Sequence, residues 1–524
     1  MSVSPLRNVL FVMSDQLRWD HLACNGHPTM RTPNLDALAA RSVRFDKAFV
    51  QAGVCGPSRM SFYTGRYVGS HGVTWNRVPL PLQQLTLGDY LAGVGRPLHL
   101  IGKTHVTPDV TGLQRMGVTP GSEVWRHRAQ GGFSEVDRIE GHGPPGAESG
   151  YADYLRAQGY TGADPWTDHV VSAQAPDGSQ ASGWFLRNVH LPARVAEEHS
   201  ETAYVTSRAL DYLAARPTGQ PWALHLSYVK PHWPYMAPAP YHQRYSAQEM
   251  LPIRKRASEL EDPHPVVAAY MQMEESQTFA RDEVVRQVRP VYMGLIEQLD
   301  HHIGRVIEAL RDSGELQHTL IIFTADHGDY GGDHHLGEKD LFHDQVVRVP
   351  LMVFDPRPQA DATRGHVITS FAEAVDIVPT VLDALQITPP LDRTQGRSLM
   401  PWLHGHTPAL WRDCVFAEID YSFRRARLLL DRRPGECRGW MVRERDWKYV
   451  RWQGFPPQLF NLLDDPHEYE DLGRDLRLAH VARRLDERLH LWMETQHPRL
   501  TLSDGEVAQR TDKAKEHGIF YGTW

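Results

Sequence analysis

The sequence predicts an α/β protein built on a large, mostly parallel central sheet flanked by helices, with a smaller α+β subdomain carrying an antiparallel sheet at its C-terminal end. Three observations predict this. Short apolar runs alternate with stretches of helical periodicity, as strands buried on both faces of a parallel sheet do. Four of the five runs end in unusual polar residues, and in a doubly wound sheet ligands bind beyond the carboxyl ends of the strands. Past residue 400 the pattern changes to hairpin strands followed by one amphipathic helix.

In chain order, "NVLFVMSDQ" is the first buried strand. "TPNLDALAARSVRF" reads as a helix, with Thr32 or Asn34 near its cap and Leu35, Leu38 and Ala39 on one face. In "CGPSRMSFYT", Pro57 suits a first helical turn and Gly65 a stop. "LTLGDYLAGVG" is a helix closed by Gly93 or Gly95. The remaining strands are "RPLHLIGKTH", "PWALHLSYVKPHWPY", "HTLIIFTADHGD" and "VPLMVFDP", separated by helices such as "ETAYVTSRALDYLAAR" and "VRPVYMGLIEQLDHHIGRVIEALRDSG". Residues 107–200, rich in Gly, Pro and polar residues, read as long loops over the strand ends. "GWMVRERDWKYVRWQG" and "QLFNLLDDPHEYEDL" read as hairpin strands, and "HVARRLDERLHLWMETQ" as the closing helix. The expected division is a catalytic domain over residues 1–400, a C-terminal subdomain over 401–497, and a tail over 498–524 that is either disordered or docks on a second copy in a homo-oligomer, dimer or tetramer.

Composition narrows the function. The 524 residues carry 56 Lys plus Arg against 64 Asp plus Glu, a net charge of −8, with no basic stripe of the kind nucleic acid requires. A local cationic pocket for a small anion remains compatible with that balance. No run approaches a membrane span. The apolar run Val9–Met13 is too short for a signal-peptide core, which predicts a cytoplasmic protein. Four cysteines, Cys24, Cys55, Cys414 and Cys437, are too few for a disulfide scaffold and match no zinc spacing.

The chemistry-bearing residues fall into three groups. Cys55 stands at a predicted helix N-terminus, where unpaired N–H groups favour anions, and Arg59 lies one turn on. That setting suits a reactive cysteine or a derivative of it, while a buried inert cysteine at a helix start is the plainer reading of the stretch alone. Asp15 and Gln16 end one strand, and Asp326 and His327 another. Together they offer oxygen-rich ligands for one divalent cation, Ca²⁺, Mg²⁺ or Mn²⁺, the histidine favouring Mn²⁺. Taken singly, an aspartate at a strand end is more often a helix cap. Lys103 and His105 in "GKTH", His232 in "KPHWP" and Lys339 in "GEKDLFHD" supply cations for a bound tetrahedral anion and an acid for its leaving group.

Together these stretches resemble the formylglycine-dependent sulfatases and phosphonate monoester hydrolases of the alkaline phosphatase superfamily. The resemblance implies an alkaline-phosphatase-like sandwich in which a separate formylglycine-generating maturation enzyme oxidises Cys55 to formylglycine, with Pro57 and Arg59 in its recognition sequence. It implies Asp15, Gln16, Asp326, His327 and residue 55 as ligands of one divalent metal, Ca²⁺ or Mn²⁺. One hydroxyl of the hydrated aldehyde attacks sulfur or phosphorus, and His105 then takes the proton of the other to expel the ester. Lys103 bridges nucleophile and anion, Lys339 holds a non-bridging oxygen, and His232 protonates the leaving group. Asn76, in "TWNRVPL", resembles an asparagine near the substrate in one branch of the family. "SDQ" and "ADHGD" resemble the phosphonate monoester hydrolases, whereas "GKTH" has the sulfatase arrangement. The expected activity is therefore sulfate monoester hydrolysis of the arylsulfatase type, with promiscuous phosphonate monoester and phosphodiester hydrolysis. The alternatives are a primary phosphonate monoester or phosphodiester hydrolase, a two-metal enzyme using Ser58 or Ser61 with Asp333, His334 and His335 left over for the second metal, and an inactive binding protein on the same fold.

Overall fold

The computed structural model describes residues 6–141, 149–217, 219–388, 393–496, 504–511, 513 and 516. Its main sheet comprises β1 (Asn8–Asp15), β2 (Val43–Phe49), β3 (Leu98–Gly102), β4 (Ser134–Arg138), β5 (Ala223–Pro231), β6 (Thr319–Ala325), β7 (Arg348–Val349), β8 (Leu351–Phe354) and β9 (Val367–Glu373). The spatial order is β9-β2-β8-β6-β1-β5-β3-β4, with β7 pairing β2. The centre, β6-β1-β5-β3, is parallel. Every residue of β1, β5 and β6 is buried, so these strands read as mostly apolar runs.

All five predicted strands are present, and register explains why one of them ends without a site. Strand β8 runs antiparallel to β6, pairing Leu351 with Thr324 and Phe354 with Ile321. Its carboxyl end therefore lies at the opposite edge from the ends of β1, β3, β5 and β6. The predicted helix over "TPNLDALAARSVRF" is cut short. Helix α1 (Pro33–Ala39) ends before Val43, and Val43–Phe49 is β2. Val43, Phe45 and the buried end of the strand fill the core between β8 and β9, so sheet packing overrides helical periodicity there. Residues 107–200 hold more structure than the predicted loops: helices Val110–Arg115, Glu123–Ala129 and Gly150–Ala157, strand β4, and a small hairpin of Ser172–Gln174 and Gln180–Ser182.

Helices α2 (Cys55–Thr64), α3 (Glu201–Ala214) and α4 (Asp282–Asp312) pack on the sheet. Helix α1 has no side-chain cap of its own. Instead Asp300 of α4 accepts the Leu35 amide at 2.7 Å and the Asn34 amide at 3.2 Å.

The C-terminal sheet is antiparallel, in the order β10 (Cys414–Asp420), β11 (Arg438–Glu444), β12 (Trp447–Trp452) and β13 (Gln458–Asn461), backed by α5 (Ala479–Glu494). Trp492 of α5 stacks on Phe416 at 4.6 Å and meets Tyr67, just past α2, at 5.1 Å. Lys448 of β12 is wholly buried and reaches out of this sheet, donating to the Phe342 carbonyl at 2.8 Å and to Asp344 at 2.7 Å. The C-terminal sheet thus braces both the segment after α2 and the loop carrying Lys339. Within the predicted docking tail, Asp504–Arg510 is helical, and most of the rest lies outside the described residues.

Candidate active site

Four parallel strands deliver their carboxyl ends to one place. β1 brings Asp15 and Gln16, β3 brings Lys103, β5 brings His232, and β6 brings Asp326 and His327; β2 leads through five residues to Cys55 at the first position of α2. Two backbone features make the convergence possible. Gly102 has φ +103, and a Cβ there would lie 1.9 Å from the Ser227 carbonyl oxygen, which accepts the Lys103 amide. Only glycine allows β3 to turn this close to β5. Gln16 takes a left-handed φ of 63°, held by its amide's bond to Asp326 Oδ1 at 3.0 Å and by Tyr292, whose hydroxyl donates to its carbonyl at 2.7 Å.

Ligand atoms of Asp15, Cys55, Asp326 and His327 lie within 4.8 Å of one another, all buried. Cys55 Sγ is 3.0 Å from His327 Nε2 and 3.8 Å from Asp15 Oδ1. His327 Nδ1 donates to the Gly328 carbonyl at 2.9 Å, which aims Nε2 into the cluster. Two buried carboxylates, an oriented imidazole and the side chain of residue 55 form a donor set that fits one divalent cation. With no cation, burial opposes a charge on His327, but Asp326 and Cys55 outweigh it and draw its pKa up to about 9. Gln16, the other expected ligand, makes two side-chain hydrogen bonds beside the cluster: its Oε1 accepts from Lys339 Nζ at 2.8 Å, and its Nε2 donates to Asp329 at 2.5 Å.

Three cations surround the two carboxylates. Arg59 donates Nε to Asp326 at 2.7 Å and Nη1 to the Lys103 carbonyl and Ser227 Oγ, each at 2.9 Å, and its Nη2 lies 3.4 Å from Asp15. Lys103 Nζ pairs with Asp15. Burial pushes the Asp15 carboxyl up, yet Lys103, His232, Arg59 and Lys339 outweigh it and hold the group well below the usual carboxylate range. Lys339 Nζ lies 3.4 Å from Cys55 Sγ and 2.9 Å from His232 Nε2. His232 Nδ1 donates to the Trp233 carbonyl at 2.6 Å, so its Nε2 is the acceptor of the Lys339 proton. Arg59, Lys103 and Lys339 against Asp15 and Asp326 leave a surplus of positive charge, to which His327 adds when no metal cation is bound, and this makes a buried anion site at the start of α2.

His105 and Asn76 stand at the rim. His105 adopts φ 60, its amide donating to Glu140 at 2.9 Å, so it turns out of the strand alternation that would point it the same way as Lys103. Burial first, and then Lys103 and Arg59, hold its imidazole well below the usual histidine range, so it is neutral at pH 7. Asn76 Oδ1 accepts the Gly56 amide at 2.7 Å. It therefore caps α2 at the amide next to Cys55, which places it in the site by a different contact from the substrate approach expected of it.

Other expectations resolve equally plainly. Asp333, His334 and His335, the residues left over for a second metal, are engaged elsewhere. Asp333 pairs with Arg18 at 2.8 Å and Arg289 at 2.5 Å, His334 with Glu259 at 2.6 Å, and His335 with the Arg256 carbonyl at 2.9 Å. Ser58 donates to the Asp326 carbonyl and Ser61 bonds His71, so neither hydroxyl faces the cluster as a nucleophile. Sequence reasoning passed over Ser227, Glu140 and Asp329. Ser227 and Asp329 were visible as polar residues inside, or just past, the two apolar strands; Glu140 carried no signal.

A central mixed sheet whose parallel strand ends gather a buried metal-type cluster and a ring of cations defines an alkaline-phosphatase-type hydrolase. The sulfatase profile matches residues 7–387, and the chain belongs to the sulfatase family. The profile of the N-sulphoglucosamine sulphohydrolase C-terminal region matches residues 332–495. The chain is 32% identical over 506 residues to the multifunctional alkaline phosphatase superfamily protein PehA of Trinickia caryophylli, covering 93% of this chain and 95% of that protein. It is 26% identical over 488 residues to an arylsulfatase of Clostridium perfringens, covering 88% and 91%. Its fold matches the phosphonate monoester hydrolase SpPMH of Silicibacter pomeroyi with a TM-score of 0.83 at 28% identity, over 95% of this chain and 97% of that one.

Proposed function

We propose that the protein hydrolyses sulfate monoesters, arylsulfatase fashion, with phosphonate monoesters and phosphodiesters as further substrates. The observation that carries this reading is the buried cluster of Asp15, Cys55, Asp326 and His327 at the start of α2, ringed by Arg59, Lys103 and Lys339. A divalent cation held by Asp15, Asp326, His327 and residue 55, with Gln16 joining if Lys339 releases it, supplies positive charge to the ester oxygens and acidity to the nucleophile. The residues of the chain do the rest. Lys103 and Lys339 hold the anion, and Arg59 fixes both aspartates. His105, kept neutral by burial and then by its cationic neighbours, is the base that takes the proton of the second hydroxyl of hydrated formylglycine, while Lys339 and His232 share the proton that goes to the leaving oxygen. In this reading Cys55 is a precursor, converted by a formylglycine-generating enzyme in a reduced, cytoplasmic setting. The catalytic unit spans residues 1–400 and the C-terminal unit 401–497, and the tail serves assembly into a dimer or tetramer.

A second reading, a primary phosphonate monoester hydrolase, is favoured by the similarity to SpPMH. Lys103 paired with Asp15, in the sulfatase-like "GKTH" arrangement, favours the sulfate ester. Peptide mass spectrometry across Cys55 tests the chemistry. Conversion shows as a loss of about 18 Da, and an unmodified thiol in active enzyme would refute it. A higher kcat/KM on an aryl phenylphosphonate than on the matching aryl sulfate moves the protein to the second reading.

A further inference from the structure

A cavity of about 800 Å³ adjoins the site. Its inner wall is made by neighbours of two site residues: Trp233, whose ring lies 4.4 Å from that of His232, and Glu338, which precedes Lys339. Lys339 Nζ is 5.9 Å from the Trp233 ring centroid. The cavity thus opens on the side of the site bounded by His232 and Lys339, where the leaving oxygen would face.

Its lining combines two chemistries. Trp184 and Trp233 meet at 5.8 Å and 59°, forming an aromatic corner that Phe185 extends; Trp184 is 45% and Phe185 53% exposed, although both are large apolar side chains. Glu275 and Glu338 share the same lining. These two and Asp340 all converge on one guanidinium, Arg424, at 3.3, 3.7 and 2.5 Å. Three carboxylates on one cation leave negative charge uncompensated at the cavity's inner end. Two further arginines line the cavity, Arg187 stacked on Phe185 at 4.6 Å and Arg281 beside Glu283 at 3.9 Å, and among the described residues neither pairs with Glu275 or Glu338; Lys339, next in the chain to Glu338, has its ammonium committed to the site. Burial also pushes the Glu338 carboxyl up against the pull of Arg424 and Lys339, as expected where a counter-charge is lacking. An aromatic corner and an under-compensated carboxylate pair lining one cavity suit a ring carrying a protonated amine, since π-faces and carboxylates both attract ammonium.

We propose that this cavity is the leaving-group subsite and that it selects esters of amine-bearing aromatic alcohols, the ring against Trp184 and Trp233 and the ammonium toward Glu275 and Glu338. The proposal rests on the hydrolase reading above for which bond is cleaved, but its selectivity is independent of whether sulfur or phosphorus is attacked.

The test compares three aryl sulfates of similar phenol basicity on the matured, metal-loaded enzyme: tyramine O-sulfate, 4-ethylphenyl sulfate and the O-sulfate of 3-(4-hydroxyphenyl)propionate. The expected order of kcat/KM is cationic over neutral over anionic, with the first step about tenfold or more, as one partly desolvated ammonium contact supplies. In Glu275→Gln, Glu338→Gln and Trp184→Ala the cationic-to-neutral ratio falls toward one. Equal or inverted ratios in the unmutated enzyme, or a ratio untouched by all three substitutions, overturns the proposal. The same alcohols as phenylphosphonate monoesters separate the two claims. Cationic preference on phosphonates alone sinks the sulfate reading and keeps the subsite; turnover of both series without preference does the reverse. Calorimetric binding of tyramine against 4-ethylphenol reads the preference without turnover, and equal affinity there also overturns it.

Discussion

Arg424 reaches from the C-terminal region to the flanks of Lys339, and replacing it by methionine probes whether that reach matters. Glu338 and Asp340, on either side of Lys339, both take left-handed backbone conformations, φ 59 and 95, that non-glycine residues resist. Arg424 holds both carboxylates, Asp340 at 2.5 Å with its side chain 2% exposed. Removing one partner of a buried pair costs about 3–5 kcal/mol. Because the Arg424 side chain is 21% exposed, solvent relieves part of this, and about 2–4 kcal/mol is the expected loss of stability. With its flanks released, Lys339 Nζ loses its placement among Gln16, Cys55 and His232. A displacement of about 1 Å in such a group lowers the rate about a hundredfold, or about 2.7 kcal/mol of transition-state stabilisation. The assay is kcat/KM on an activated aryl sulfate, well below the unfolding temperature, beside thermal unfolding of the same sample. Since Arg424 acts through Lys339, the Arg424→Met/Lys339→Met double variant should lose little more activity than Lys339→Met alone. Undiminished kcat/KM with a lowered unfolding temperature, or additive losses in the double variant, would refute the positioning role and leave Arg424 a packing residue.

Four further outcomes follow. His105→Ala should retain the first half-reaction and stall the second, so mass spectrometry should find residue 55 carrying one added SO₃ group; free residue 55 during turnover argues against His105 as the base. Because the His105 imidazole is held below 6.5, the enzyme-wide kcat should not fall as pH drops through 6.5, and should decline only at lower pH; a titration at or above 6.5 that His105→Ala abolishes contradicts this. Adding Mn²⁺ or Ca²⁺ to chelator-stripped protein should raise the unfolding temperature, by an amount corresponding to about 2.7 kcal/mol at a hundredfold excess over Kd, and Asp326→Asn should abolish the rise. Asp333 is pushed up by burial but drawn down more strongly by Arg289 and Arg18, to about 2. A depressed carboxyl stabilises above its unfolded pKa, so about 2 kcal/mol should be present above pH ~4 and lost as pH falls toward ~2; Asp333→Asn should flatten that part of the acid limb.

The sequence by itself determined the strands that carry the site, because strands buried on both faces must be apolar and any polar residue at their ends stands out. It determined Cys55 as the start of a helix, through Pro57 and Gly65, and Asp15, Asp326, His327, Lys103 and Lys339 as its company. It could not separate β2 from α1, since Val43 and Phe45 fit either period until β8 and β9 are there to flank them. Only the tertiary structure decided that β8 runs backward, that Gln16 serves Lys339, that Asn76 caps α2, and that the leftover Asp333 belongs to two arginines rather than to a metal. The bracing of Lys339 by Arg424 and Lys448 was invisible for the same reason. A side chain's type records which interactions it can make, whereas its partner is set by residues tens or hundreds of positions away that only the folded chain brings within reach.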